Sequence, residues 1–195
     1  MKLVLASGNR GKLAELRDLL ADLDIELVAQ SQLGIGDAEE TGATFIENAI
    51  LKARHAARCS GLPALADDSG LCVDALDGAP GLISARYAGV HGDSAANIAK
   101  LLDALTGIES ARRGAHFHCT LALLRHADDP APLLAEGRWH GHILEAPRGS
   151  GGHGYDPVFL DPASGLSAAE LDPAAKNAIS HRGQALARLR ELLRS

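Results

Sequence analysis

Apolar positions along the chain fall into alternating strand and helix periods. Lys2-Leu3-Val4-Leu5-Ala6 is a short run suited to a buried strand, and Leu13, Leu16, Leu20 and Leu23 then recur at helical spacing. Ile25 to Ala29 reads as a second strand, and Ser31 to Gly42 as a polar, acidic loop. Thr44-Phe45-Ile46-Glu47 has the form of a capping box and predicts a second long helix. Phe45, Ala49, Lys52 (by its stem) and Ala56 share one face of it, and it ends near Ser60-Gly61. Pro63 to Ala66 is a third strand, delivering Asp67-Asp68-Ser69-Gly70 at its end. Asp77 to Gly92 is glycine-rich without a clear period. Asp93 or Ser94 caps a helix that buries Ile98, Leu101, Leu102 and Leu105. Phe117 to Leu124 and Leu133 to Leu144 read as two longer strands around an Asp-Asp-Pro turn. Gly149 to Pro157 is a second glycine-rich loop, Val158 to Leu160 a short strand, and Leu166 or Ser167 to Leu171 at most a short helix. Ser180 caps a C-terminal helix with Leu186, Leu189 and Leu193 inward.

This alternation, without repeat or linker, predicts one mixed α/β domain over residues 1–195 whose middle forms a separate lobe beside a cleft. At 46% hydrophobic and 23% charged residues, the composition is that of an ordinary soluble protein. A net charge of −6 argues against a nucleic-acid or anionic-membrane surface, but leaves room for a local basic pocket for one polyphosphate. No segment is apolar for long enough to span a bilayer, and the N-terminus lacks a signal-peptide layout, so a cytoplasmic enzyme is expected. Cys59, Cys72 and Cys119 are widely spaced and suggest neither a disulfide framework nor a zinc site.

Three groups of residues could carry chemistry. Ser7-Gly8-Asn9-Arg10-Gly11-Lys12 joins the first strand to the first helix, gathering backbone N–H groups and a lysine where a phosphate would sit. It lacks the P-loop spacing, and a plain turn whose Asn9 caps the helix reads equally well. Glu39-Glu40 and Asp67-Asp68 are the second group: carboxylates at a strand end can hold Mg²⁺ or take a proton from water, or else form a solvated loop and a turn. The third is Gly151-Gly152-His153-Gly154-Tyr155-Asp156-Pro157, where a planar base could approach and stack, with donors from Lys176 and Ser180-His181-Arg182-Gly183. His116 and His118 would share a strand face like a metal pair, with no third ligand evident nearby.

These blocks, with Glu39 to Ala49, Ala66 to Leu71, Gly78-Ala79-Pro80-Gly81 and Ser84-Ala85-Arg86-Tyr87, resemble the inosine/xanthosine triphosphate pyrophosphatase family across nearly the full chain and in the family's order. The resemblance implies an elongated two-lobed single domain with a central mixed sheet, a nucleotide-binding groove between the lobes, and a homodimer. It implies Mg²⁺-dependent hydrolysis of a nucleoside triphosphate to the monophosphate and pyrophosphate. By the same resemblance, Ser7, Gly8, Asn9, Arg10, Gly11 and Lys12 bind the triphosphate, and Asp68 is the proton acceptor. Asp68 also helps hold Mg²⁺ with Glu39, a role that Asp67 and Glu40 could exchange or share. Ser69 contacts substrate, and His153, Gly154, Tyr155, Asp156, Lys176, His181 and Arg182 form the nucleoside pocket. One position departs from the pattern: His153 stands where family members commonly place the Phe that stacks on the base. The Maf-like pyrophosphatases are a weaker match, because a Ser-Pro-Arg-Arg type run would replace Gly8 to Lys12. A nucleotide-binding module without hydrolysis would not need so many metal-binding acids.

Overall fold

The computed structural model describes residues 2–8, 10–20 and 25–194, and of Arg10, Asp18 and Leu19 the backbone alone. The expectations for Asn9 and Leu23 and for the Arg10 side chain therefore lie outside the described residues. Strand β1 (Lys2–Ala6) leads into helix α1 (Arg10–Leu20), followed by β2 (Glu26–Ala29), α2 (Phe45–Ser60) and β3 (Ala64–Val73). Then come α3 (Ser94–Ala104), β4 (Gly114–Leu124), β5 (Leu133–Ile143), β6 (Phe159–Leu160), α4 (Pro173–Ile179) and α5 (His181–Leu192). The strands form one six-stranded sheet in the order β2-β1-β3-β4-β5-β6. β1 is parallel to β2 and β3, with Leu5 opposite Ala29 and Leu65, while β5 and β6 are antiparallel. The sheet is therefore mixed, as the family resemblance implies. Among the described residues no helix is long and apolar enough to cross a membrane.

Residues group into two compact units: Met1–Asp68 with Cys119–Gly137 and Arg182–Ser195, and Ser69–His118 with Arg138–His181. In the first unit the period-2 geometry of the strands sends alternate residues to opposite faces. Leu3, Leu5, Leu65, Cys119 and Leu121 pack with Leu16 and Leu20 of α1 and with Leu186 and Leu189 of α5. Val4, Ala6, Ala64, Ala66, Ala122 and Leu124 pack on Ala49, Ala53 and Ala56 of α2. Helix α2 begins as its capping box requires, with the Glu47 N–H donating to Thr44 Oγ1, and ends at Gly61 in a left-handed conformation (φ 69°). In the second unit Leu71, Val73, Leu101, Leu105, Phe117, Trp139, Val158 and Phe159 form the core.

The structure departs from the sequence expectations at several places. β3 continues past Ala66 to Val73, because Leu71 and Val73 supply a second buried stretch; Asp67 to Gly70 thus lie inside a strand and not in a turn at its end. Val158 closes a short 3-10 turn, leaving Phe159–Leu160 as strand. Residues 166–171 form turns around a bridge between Ser167 and Leu160 where a short helix was expected. The unforeseen α4 starts at Asp172-Pro173, where the Asp172 carboxylate accepts the Ala175 N–H and proline occupies the first helical position.

Candidate active site

Asp67 and Asp68 are neighbours inside β3, so their side chains leave the sheet on opposite faces. Asp68 joins the face covered by α2, and Asp67 the face covered by α1 and α5. The sequence left their roles exchangeable; strand geometry separates them.

On the α2 face, the first helical turn pins the acidic loop. Asn48 Oδ1 accepts the Gly42 N–H at 2.8 Å, and Glu47 Oε2 accepts the Ala43 N–H at 2.7 Å. Glycine is required at position 42, since a Cβ there would lie 2.6 Å from the Glu47 Cβ. One turn beyond Asn48, on the same helix face, Lys52 extends its ammonium to Asp68 Oδ1 (2.6 Å) and Glu40 Oε1 (3.1 Å). Burial raises the Asp68 carboxyl above its ordinary range, and the opposing pull of Lys52 does not cancel it. Lys52 is itself raised: burial works against its charge, but Asp68, with Glu40 and Asp67 behind it, outweighs burial. Glu40 therefore shares a cation with Asp68.

These residues can be tested against a magnesium ion. Asp68 and Glu40 present hard carboxylate oxygens that already converge on one positive charge, the Lys52 ammonium. Among the described residues no three His, Cys, Asp or Glu side chains converge as a complete metal cage. Magnesium bound to a polyphosphate needs only one or two carboxylates, because phosphate oxygens and water fill the remaining positions. The donor set fits.

On the opposite face, Asp67 is fully enclosed and meets two cations. Lys12 Nζ lies 2.6 Å from Oδ1, and Arg182 Nε donates to Oδ2 at 2.7 Å. The Cys119 thiol also donates to Oδ2, at 3.3 Å. Arg182, only 2% exposed, is held as well by the Glu15 carboxylate of α1. Burial alone would push the Asp67 carboxyl up, but Arg182 and then Lys12 bring it well below the usual carboxylate range. A depressed carboxyl stabilises the fold fully above its unfolded pKa, and that stabilisation fades as pH falls through the folded value. Asp67→Asn is therefore expected to flatten the loss of stability below about pH 4, read by denaturant unfolding at stepped pH; an acid slope equal to that of the parent would contradict this.

The opening turn sits beside these groups. Ser7 and Gly8 are described, and a Cβ at Gly8 would stand 3.0 Å from the Asp37 carboxylate, so a side chain there would press on that loop. Gly11 and Lys12 lie in the first turn of α1, and the lysine side chain turns to Asp67.

The remaining predicted residues lie in the second unit, with Ser69 half-buried in β3. Asp156 Oδ2 accepts both the His153 N–H and the Lys176 ammonium at 2.7 Å, tying the glycine-rich loop to α4. Gly152 (φ 70°) makes room for that carboxylate, because a Cβ would overlap it. The Tyr155 ring is buried and its hydroxyl donates to the Ser84 carbonyl at 2.8 Å, while burial pushes its pKa up. Gly154 takes a left-handed conformation (φ 62°), and His153 is half-buried. His181 stacks on Phe117 with ring centres 4.9 Å apart and planes 16° from parallel.

Two side chains of these charge clusters escaped the sequence reading. Lys52 was placed on a buried helix face by its stem alone, yet a cation among alanines at helical spacing is itself a sign of a buried partner. Glu15 left no comparable mark, since its partner Arg182 stands far away in sequence.

Comparison with known proteins adds an independent line. The model of the Ham1 family matches residues 3–192. A dITP/XTP pyrophosphatase of Xanthomonas campestris pv. campestris (strain 8004) is 63% identical over 191 residues, covering 98% of this chain and 96% of that protein. A dITP/XTP pyrophosphatase of Yersinia pseudotuberculosis is 58% identical over 193 residues, covering 99% of this chain and 98% of that protein. A HAM1 protein structure from Coxiella burnetii superposes with a TM-score of 0.91 at 54% identity, covering 99% of this chain and 98% of that one. The Staphylococcus aureus Ham1 structure follows at 0.87 and 38%, covering 100% and 98%.

Proposed function

Because the chain belongs to the Ham1 family, we propose that it hydrolyses the nonstandard purine nucleoside triphosphates ITP, dITP and XTP to the monophosphate and pyrophosphate, removing them from the nucleotide pool. The observation that carries this reading is Asp68: a buried carboxylate with a raised pKa, aligned with Glu40 around a single positive charge. Such a group can orient a water and take its proton as the water oxygen attacks the α-phosphorus. The bond to the β-phosphate oxygen then breaks, and pyrophosphate leaves with the electron pair.

Asp68 with Glu40 or Glu39 would hold Mg²⁺, which supplies charge neutralisation at the phosphates when bound. Lys12 and the backbone of the opening turn, Ser7 to Gly11, would position the triphosphate, and Ser69 would contact it beside Asp68. Lys52 would keep Asp68 ionised and aimed. His153, Gly154, Tyr155, Asp156, Lys176, His181 and Arg182 would receive the nucleoside. Lys176, fixed by Asp156, is a pre-oriented donor for an oxygen at purine position six; the amino group of adenine would face it donor to donor. A mismatch of that kind discriminates by factors of about 10⁴ or more. The same reading carries a homodimer working in the cytoplasm.

The test is a hydrolysis panel with ITP, dITP, XTP, GTP and ATP, run with Mg²⁺ and with chelator. Pyrophosphate release from the first three, with little from ATP and none in chelator, is the expected result. Equilibrium binding of ITP with no release in the presence of Mg²⁺ would replace this reading by that of a nucleotide-binding module.

A further inference from the structure

His116, His118 and His140 lie on the long strands of the second unit. His116 of β4 and His140 of the adjacent β5 bring their ring centres to 5.4 Å, with planes 35° apart. His118 stands edge-on to His116 at 6.4 Å. We propose that His116 and His140 form a cross-strand two-histidine site for a divalent transition cation of the Cu²⁺, Ni²⁺ and Zn²⁺ class. Two imidazoles sharing one tetrahedral ion at metal–nitrogen distances of about 2.0–2.1 Å would place their ring centres roughly 5 Å apart, which matches this pair closely. His140 is exposed and His116 half-buried, so an ion can reach both from solvent.

The surroundings of His116 favour neutral imidazole, the form that ligates metal. Burial lowers the His116 pKa, and His140, Arg138 and His118 lower it further against the opposing pull of Asp74. Cys72, also near Arg138 and Asp74, is held as a thiol by burial. Among the described residues no third His, Cys, Asp or Glu completes the group, so water fills the remaining positions and the site is weak. Nitrogen ligands give the order Cu²⁺ above Zn²⁺ and Ni²⁺, and they reject Mg²⁺. The site is therefore chemically separate from the carboxylates around Asp68.

Trp139, the single tryptophan of the chain, immediately precedes His140 and reports on it. The experiment titrates the untagged chain with Cu²⁺ while following tryptophan fluorescence, and repeats the binding by calorimetry with Zn²⁺ and Mg²⁺. Saturable quenching that fits a single site is expected, with a Zn²⁺ binding heat and none for Mg²⁺. His140→Ala and His116→Ala should each weaken binding by about tenfold or more, and His126→Ala, in a distant turn, should not. Because His140 is exposed, its variant keeps the test open if His116→Ala fails to fold. Unsaturable quenching, or a His140→Ala curve equal to that of the parent, would overturn the proposal.

Discussion

Asp68→Asn is expected to lower pyrophosphate release from ITP by a factor of about 10²–10⁴ while leaving the fold intact. Asparagine keeps the volume of the side chain and an oxygen for the Lys52 ammonium, and Glu40 continues to satisfy that ammonium. What it removes is the basicity that accepts the water proton. A loss of this size corresponds to about 2.7–5.5 kcal/mol of transition-state stabilisation. The loss should appear in kcat and in kcat/KM together, because the proton moves only in the transition state. Steady-state kinetics beside thermal unfolding checks both halves of the expectation. Turnover near the parent value would move the role of base away from Asp68.

Arg182→Leu is expected to act on stability. The guanidinium is buried between Asp67 and Glu15, so its removal leaves Asp67 enclosed with Lys12 as its remaining cation among the named partners. Breaking a buried pair from one side costs about 3–5 kcal/mol, because a desolvated charge loses its partner. In a chain of this length that predicts a fall in Tm of roughly 6–20 °C. Asp67→Asn combined with Arg182→Leu should lose less than the two single variants added together, since the second change removes the charge stranded by the first. Calorimetry on the four proteins measures this coupling. A Tm for Arg182→Leu equal to that of the parent would show that the buried pair contributes nothing to the fold.

These two expectations differ because Asp67 and Asp68 face opposite ways, and that separation was only half visible in the sequence. The alternating periods identify the strands, and the Thr44 to Glu47 signature identifies the start of α2, because both depend on nearest neighbours along the chain. Strand β3 was read as too short, since its polar middle, Asp67-Asp68-Ser69, hides the continuity that Leu71 and Val73 restore. Its length decides which aspartate meets which helix. Lys12 with Asp67 and Lys52 with Asp68 are pairs between elements, and local spacing carries no record of them. Arg182 reads on the sequence as a donor beside His181, yet its partners come from α1 and β3. The family resemblance supplied roles for single residues but not the charge pairs that hold them. Lys52 is the clearest example, since its position on an alanine-lined helix face was legible while its two carboxylate partners were not.

The bond that is cleaved is the central claim, and one measurement tests it directly. ITP is hydrolysed with Mg²⁺ in water enriched in heavy oxygen, and the products are analysed by mass spectrometry. Attack of water at the α-phosphorus predicts one heavy oxygen in inosine monophosphate and none in the released pyrophosphate. Heavy oxygen in pyrophosphate or orthophosphate, with inosine monophosphate unlabelled, would contradict it.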